Sequence, residues 1–252
     1  MHTLTEALRN FGALQLFFVR LLRESPAVML RIGLVSRQVF KAGAQSLMLI
    51  MVCGFFVGAV IGLQSYSNLL RFGAEDVVGQ FAALALMKEL GPVITALLFA
   101  GRAGTALASE IGLMRTTDQL SAMEMMAVDP ISRVVVPRFL GGAISLPLLN
   151  CIFTAVGILG AYIVAVPLMG LDGGAFWSEL RQGVADYDVN EGIIKGVVFG
   201  ITASLIAVWE GYNAIPTAEG VGRATTRTVV NTAVAILIFD FMITAVAIGS
   251  TG

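Results

Sequence analysis

Two long stretches without a charged side chain constrain this sequence more than any other feature. Residues 42–70 and residues 139–171 contain no Asp, Glu, Lys or Arg. A helix rises about 1.5 Å per residue, so about 20 apolar residues cross a hydrocarbon core about 30 Å thick. Each stretch is therefore long enough to form a membrane-spanning helix, and neither is typical of a soluble domain.

The composition of the whole chain supports the same class. Hydrophobic residues make up 57% of the sequence and charged residues only 13%, whereas soluble domains are about 25% charged. We therefore predict an all-α integral membrane protein, with one domain over residues 1–252. The net charge of -1 gives no indication of nucleic-acid binding.

Three further apolar segments bring the predicted number of membrane spans to about five. They cover approximately residues 77–101, 192–209 and 228–250. The predicted transmembrane region is therefore 42–250. Lys and Arg are concentrated on one side of it: of the 16 in the chain, twelve lie in residues 1–43, 101–138 and 210–228. Because cytoplasmic segments carry such an excess, we expect a cytoplasmic amino terminus and an external carboxyl terminus.

Two short helices are predicted outside the spans. Apolar residues at helical spacing, interrupted by arginines, predict an amphipathic helix over residues 1–25 on the membrane surface, ended by Pro26. An ordinary packing helix is the alternative. Between the third and fourth spans, Phe176, Trp177 and Leu180 predict a short interfacial helix within an acidic loop.

A charged segment between the second and third spans is predicted to face a soluble partner. Residues 116–127 would form a helix about 18 Å long, too short to cross the bilayer. Thr116 and Gln119 predict a capping box at its start, and Asp129 stops it. The predicted contact residues within 115–130 are Asp118, Gln119, Leu120, Met123, Glu124, Met125 and Asp129. A solvated connector is the alternative.

Several charges fall inside predicted spans. Lys88 and Glu89 precede Gly91-Pro92, where a helix break is favoured, and Asp240 lies in the middle of the last span. Such charges are costly, so they usually face a partner or a polar cavity. Solvation near the surface is the alternative for the first two. Asp240 could be a neutral packing residue, line a polar path, or pair with Lys88 or a neighbouring arginine. Lys195 is expected to snorkel outward.

Small residues and cysteines allow further predictions. Gly54, Gly58 and Gly62 lie on one helix face and predict close helix packing, either inside one subunit or at a seam between subunits. Cys53 and Cys151 lie in apolar runs, so we interpret them as small buried residues. With His2 as the only histidine, we predict no metal site.

Three stretches of the chain resemble the MlaE/YrbE permease family. They are ELGPVITALLFAGRAGTALASEIG at residues 89–112, TTDQLSAMEMMAVDPISRVVVPR at 116–138, and GYNA followed by AEGVGRATTR at 211–227. The members of that family are membrane subunits of ABC-type lipid transporters in the inner membrane of Gram-negative bacteria. The resemblance covers most of the chain, and its central motif is long and specific.

The resemblance implies a homodimeric permease that moves glycerophospholipids between the inner and outer membranes and so maintains outer-membrane lipid asymmetry. It implies that a separate cytoplasmic ATPase, MlaF-like, sits on the short charged helix. A periplasmic ring of MCE-domain subunits, MlaD-like, and a STAS-domain protein, MlaB-like, would complete the assembly. The permease itself is then not an enzyme and binds no cofactor, because the partner uses the ATP. The absence of a G-K-[ST] phosphate-binding motif agrees with this.

The resemblance further implies a lipid cavity lined from the first, second and fifth spans. The candidate residues are Lys88, Glu89, Tyr66, Asn68, Leu69 and Asp240. A headgroup phosphate needs a cation, so Lys88 or a nearby arginine is expected to contact it. The main alternative is a transporter driven by an ion gradient through Asp240 and Glu89. An intramembrane enzyme is disfavoured, because no histidine beyond His2 is available as a base.

Overall fold

The computed structural model describes residues 2–29 and 32–251, and nearly all of this part of the chain is helical. The helices are α1 His2–Met29, α2 Ile32–Leu70, α3 Glu75–Thr116, α4 Gln119–Met125, α5 Ile131–Leu168, α6 Gly173–Gly183, α7 Asp186–Tyr212 and α8 Ala218–Thr251. Within these described residues, five helices are long and apolar enough to cross a membrane, namely α2, α3, α5, α7 and α8. The predicted all-α membrane protein with five spans is confirmed.

Successive spans run in opposite directions, so the two short connecting helices lie at opposite ends of the bundle. We call these the α4 end and the α6 end. Helix α1 lies at the α4 end, where Phe17 packs edge to face on Trp209 at a ring-centroid distance of 5.2 Å. At the α6 end, Phe176 of the predicted short helix is fully buried and packs against Tyr162 of α5.

The buried apolar side chains form two clusters. The larger cluster joins α2, α3, α5 and α7, and includes Ile50, Leu86, Phe99, Phe153 and Phe199. The smaller cluster lies at the α4 end and binds α1 to the spans. Helix α8 is the least buried span. Of its most apolar stretch of 18 residues, only 11% is buried within the described chain. Its outward apolar face is typical of a lipid-facing helix.

The glycine face of α2 packs directly against α5. A Cβ atom on Gly58 would overlap the carbonyl group of Gly157, and one on Gly62 would lie 2.9 Å from the Cα of Ala161. Small residues allow such backbone contact, and the contact adds dispersion energy where lipid provides no hydrophobic driving force. Of the two alternatives for Gly54, Gly58 and Gly62, the structure therefore shows packing inside one chain.

Helix α3 contains two π-helical turns, Ala85–Leu90 and Ala100–Gly104. At the end of the first turn, the N–H of Gly91 donates to the carbonyl of Leu86, five residues earlier. Pro92 follows and has no N–H to donate. The break favoured at Gly91-Pro92 therefore takes the form of a widened turn, and the helix continues beyond it.

Several predicted helix ends were wrong. Helix α1 continues through Pro26 to Met29, because proline removes one hydrogen bond without preventing the helix on either side. Helix α7 begins at Asp186, six residues before its predicted apolar start.

The prediction for Cys151 was wrong, because its side chain is exposed rather than buried. The amphipathic face predicted for residues 1–25 depends partly on side chains 1–8, 10 and 11, which lie outside the described residues.

The predicted capping box of α4 was also wrong. Thr116 is the last residue of α3, and its hydroxyl donates to the carbonyl of Leu113 at 2.8 Å. The chain then reverses at Asp118, which has a left-handed backbone with φ 54° and makes no side-chain capping bond. Helix α4 therefore starts at Gln119 and is only 7 residues long. The turn at Asp118 keeps Thr116 away from the N–H groups that it was expected to cap.

The Gly58 contact gives a direct test of the packing. We expect Gly58→Ala to destabilise the protein by about 1–3 kcal/mol, because the added methyl group must push α2 away from α5. The midpoint of thermal unfolding in detergent, followed by size-exclusion chromatography, measures this effect. Gly222→Ala is the matched control, since no atom lies within 4 Å of its added Cβ. An equal loss in both variants would contradict the proposed contact.

Candidate functional site

The centre of the candidate site is Lys195 of α7, whose side chain is fully buried. Its ammonium group lies 3.0 Å from a carboxylate oxygen of Asp240 in α8 and 3.1 Å from one of Glu89 in α3. It also donates to the hydroxyl of Thr244 at 2.7 Å. One side chain therefore connects three membrane-spanning helices.

A proline shapes a further contact of Lys195. Pro92 cannot donate to the carbonyl four residues earlier, which belongs to Lys88. The ammonium group of Lys195 donates to that oxygen at 2.8 Å. Gly192, one turn earlier in α7, permits this approach, because a Cβ there would overlap the carbonyl of Met87. The π-helical turn of α3 and the glycine of α7 thus bring a buried cation to a backbone acceptor.

A second lysine lies beside the first. Lys88 is 3.0 Å from Asp188 and 3.1 Å from Glu191, measured between the ammonium nitrogen and the nearer carboxylate oxygens. It also lies 5.7 Å from the ring centroid of Tyr187. Glu191 is 5% exposed, and its other oxygen is 3.7 Å from Lys195. Glu191 therefore lies between the two cations and joins them into one cluster.

We call this cluster the ion network. Its members are Lys88, Lys195, Glu89, Asp188, Glu191 and Asp240. Two ammonium groups face four carboxylates, so the formal charge is negative. Lys195 has no exposed surface, whereas the side chain of Lys88 is 30% exposed. An incoming anion could therefore reach only Lys88 within the network.

A cavity of about 280 Å³ opens beside the ion network. Its lining residues are Lys88, Glu89, Tyr187, Asp188, Glu191, Thr244 and Ala247. Among these described residues Lys88 is the only cation. The cavity lies in the half of the bundle nearer α6, where it offers a polar environment within the membrane-spanning region.

The structure brings together three of the residues that the sequence singled out. Lys88, Glu89 and Asp240 all belong to the ion network, through Lys195. Asp240 is paired with Lys195 rather than with Lys88 or an arginine, which corrects the partner expected for it. The outward snorkelling expected for Lys195 was wrong, because carboxylates from α3 and α8 give its ammonium group closer partners than the membrane surface does.

The other predicted cavity residues lie elsewhere. Tyr66 and Leu69 are partly buried against the larger apolar cluster, and Asn68 is exposed. All three are near the end of α2 at the α6 end, and none of them lines the cavity beside Lys88. Their contact with lipid remains a prediction.

Sequence reasoning missed most of the residues contributed by α7. Asp188 and Glu191 were assigned to an acidic loop, and Tyr187 and Thr244 were not considered. One signal could have found the site: Asp188, Glu191 and Lys195 are spaced by three and four residues, which places them on one face of a helix. A charged face continuing into an apolar span indicates buried partners.

A second candidate surface lies on α4. Leu120 is buried and Met123 packs partly against the smaller apolar cluster, so both hold α4 on the bundle. Met125 is 86% exposed. The polar residues Asp118, Gln119 and Glu124 are exposed as well. Helix α4 therefore presents methionine and carboxylate side chains outward, a combination that suits contact with another protein.

Asp129, which was also predicted to contact the partner, lies beyond α4 at the start of α5. Its carboxylate accepts from the backbone N–H of Ile131 at 3.2 Å and of Ser132 at 3.4 Å, which caps the start of α5. It also lies 3.2 Å from Arg20 of α1. Asp129 thus fastens α1 to the beginning of α5.

Comparisons with known proteins give a consistent result. The profile of the family described as "Permease MlaE" matches residues 35–246. A Haemophilus influenzae protein, named intermembrane phospholipid transport system permease protein MlaE, is 49% identical over 89% of this chain and 87% of its own length.

More distant relatives extend the similarity. A probable ABC transporter permease protein of Rickettsia prowazekii is 39% identical over 85% of this chain and 83% of its own length. The chloroplastic protein trigalactosyldiacylglycerol 1 of Arabidopsis thaliana is 30% identical over 83% of this chain and 60% of its own length.

The role of the buried Lys195 ammonium group can be tested by substitution. Lys195→Met leaves carboxylates of Glu89, Glu191 and Asp240 without their shared partner, and removal of one member of a buried ion pair costs about 3–5 kcal/mol. We expect a large fall in the thermal unfolding midpoint in detergent. Lys88→Met should have a smaller effect, because that side chain is 30% exposed. Equal midpoints for Lys195→Met and the unmodified protein would contradict the central role of Lys195.

Proposed function

Because the chain belongs to the MlaE permease family, we propose that it is the permease subunit of an ABC transporter that moves phospholipids between membranes. The family match over all five spans carries this proposal. The name of the Haemophilus influenzae relative, a phospholipid transport permease, supports the choice of phospholipid. We further propose that the substrates are glycerophospholipids exchanged between the inner and outer membranes, and that this exchange maintains outer-membrane lipid asymmetry.

The ATP-hydrolysing engine is proposed to be a separate protein bound at α4. The sequence contains no phosphate-binding loop of the G-K-[ST] type. Helix α4 is a short helix at the end of the bundle whose outer side chains, Met125 and Glu124, have no role in the core. These features support a cytoplasmic MlaF-like ATPase, accompanied by a MlaB-like STAS-domain protein.

The orientation follows from the distribution of charge. The α4 end carries most of the lysines and arginines, which favours the cytoplasmic side for it. The amino terminus is then cytoplasmic and the carboxyl terminus periplasmic, in the inner membrane. The α6 end would face the periplasm, where a MlaD-like ring of MCE-domain subunits is the proposed partner.

The cavity beside the ion network is the proposed contact for the lipid headgroup. Lys88 is its exposed cation, and a phosphate bound there would compete with Asp188 and Glu191 for the ammonium group. The proposed assembly is a homodimer. In it, apolar surface for the acyl chains would be added by Tyr66 and Leu69, near the end of α2.

Ion-gradient transport through Asp240 and Glu89 has no comparable support. Both carboxylates lie within 3.1 Å of Lys195, which occupies the position that a transported cation would need. The family relationship also favours an ATP-driven engine.

The proposed engine can be tested at α4. We expect Met125→Asp to abolish co-purification of the ATPase with the tagged protein, because a carboxylate would replace an apolar contact at an interface core. Affinity purification in mild detergent followed by mass spectrometry measures the ATPase retained. Phe72→Asp is the matched control: Phe72 is 83% exposed but belongs to the turn at the opposite end. ATPase retention by Met125→Asp would count against α4 as the docking site.

The headgroup contact has its own test. Lys88→Ala is expected to lower the amount of co-purified phospholipid several-fold, because a charge-assisted hydrogen bond of about 1.5–3 kcal/mol is lost. Lipid extraction and quantitative mass spectrometry of the purified protein give the measurement. Arg181→Ala, an exposed cation on α6, serves as the control. Unchanged phospholipid in Lys88→Ala would exclude Lys88 from headgroup binding.

A further inference from the structure

A second polar crevice lies between α2 and α3, in the half of the bundle nearer α4. Its polar lining residues are Gln38, Lys41, Gln45, Ser46, Arg102 and Glu110. They come from the first part of α2 and the last part of α3, so the crevice is distant along both helices from the residues of the ion network. None of these side chains has a role in the site described above.

The charge of this crevice is opposite to that of the ion network. Glu110 is its carboxylate, and it is already bound by Lys41 at 2.5 Å and by Arg138 at 3.5 Å. Arg102 makes no ion pair or side-chain hydrogen bond with any residue in the described part of the chain. Two cations, Lys41 and Arg138, therefore already neutralise the carboxylate, and the guanidinium group of Arg102 has five N–H donors without an acceptor among the described residues.

A buried hydroxyl group, that of Ser46, lies in the same crevice. Ser46 is 1% exposed and lines the crevice, and its hydroxyl oxygen has no hydrogen-bond partner among the described residues. Buried polar groups are nearly always satisfied, so this hydroxyl would accept a partner from outside the chain, either a water or an oxygen of a ligand. The enclosed part holds only about 20 Å³. That space fits about one oxygen atom, so a phosphate could direct one oxygen towards Ser46 while the rest of the group lies at the mouth, between the exposed side chains of Arg102 and Gln45.

We propose that this crevice binds the phosphate of a phospholipid headgroup in the leaflet at the α4 end. The proposal rests on the proposed function and adds a second lipid contact to it. Arginine binds phosphate through two parallel hydrogen bonds, and Lys41 and Ser46 provide further donors. The crevice lies where α2 and α3 pass from charged residues into their predicted apolar spans, which is the level of lipid headgroups, and lipid is the abundant phosphate ester there. At that level an exposed arginine with no partner among the described residues suits contact with such an anion.

Arg102 lies in the second π-helical turn of α3, Ala100–Gly104. A π turn contains an extra residue and so turns its side chains away from the direction of a regular helix. A transported lipid would then meet a cationic crevice in one half of the bundle and the negatively charged ion network in the other. Both sites would contact the phosphate, through Arg102 in the crevice and through Lys88 in the cavity, at different positions of the lipid along the bundle.

The test uses the purified full-length protein in detergent and native mass spectrometry with three probes. They are dioleoyl phosphatidylglycerol, dioleoylglycerol without a phosphate, and soluble glycerol 3-phosphate. We expect Arg102→Gln to weaken phosphatidylglycerol binding about tenfold, through loss of a charge-assisted contact. Ser46→Ala should cause a smaller loss, and Arg102→Lys should retain part of the affinity. Arg71→Gln, an exposed arginine in the turn at the opposite end, is the matched control and should bind as the unmodified protein does.

Three results would overturn the proposal. Phosphatidylglycerol binding that is unchanged in both Arg102→Gln and Lys41→Gln would exclude the crevice. Glycerol 3-phosphate binding as tightly as the lipid, and equally dependent on Arg102, would make this a site for a soluble phosphate ester. A shift from dimer to monomer in Arg102→Gln with lipid binding unchanged would assign Arg102 to contact with a second copy.

Measurements on the same purified proteins distinguish a failure of this inference from a failure of the proposed function. We expect Arg102→Gln to keep its unfolding midpoint and to co-purify with the ATPase, because Arg102 lies away from α4. An unmodified protein that binds no ATPase would refute the proposed function, while lipid titration of Arg102→Gln would still decide the crevice.

Discussion

Burial of the Lys195 ammonium group is the interaction on which the arrangement of the spans depends. A cation among membrane-spanning helices is tolerated only when opposite charges and hydrogen-bond acceptors surround it. Here those partners come from two other helices: Glu89 and the Lys88 carbonyl from α3, and Asp240 and Thr244 from α8. The relative positions of α3, α7 and α8 are therefore linked at a single side chain. Helix α8, which buries little apolar surface, depends most on this link.

Three of the charged residues of α3 occur where its helix is widened. Lys88 and Glu89 lie in the π turn Ala85–Leu90, and Arg102 lies in Ala100–Gly104. Such turns leave backbone groups free for side-chain partners and change the direction of the side chains that follow. The Lys195 contact with a carbonyl of the first turn illustrates this. The π turns of α3 thus allow charged side chains and a free backbone carbonyl to be accommodated in a bundle that is otherwise apolar.

The sequence predicted the features that depend on composition and spacing along one helix. The five spans, the small helix carrying Phe176, and the close-packing face of Gly54, Gly58 and Gly62 are of this kind. What it could not predict depends on neighbours. Lys195 was expected to reach the membrane surface because its two nearest carboxylates, Glu89 and Asp240, come from other helices. The end of α1 was misplaced because Pro26 was taken as its limit, and α7 starts before its predicted span because charged residues were taken as the limit of the span, although the helix continues through both.

The backbone contact between α2 and α5 has a mechanical consequence. At Gly58 and Gly157 no side chains lie between the two helices, so no rotamer change can let one slide past the other. The pair therefore behaves as a rigid block. Any change of shape has to carry α2 and α5 together and find its hinge in the more lightly packed helix α8 or in the turns that flank the block.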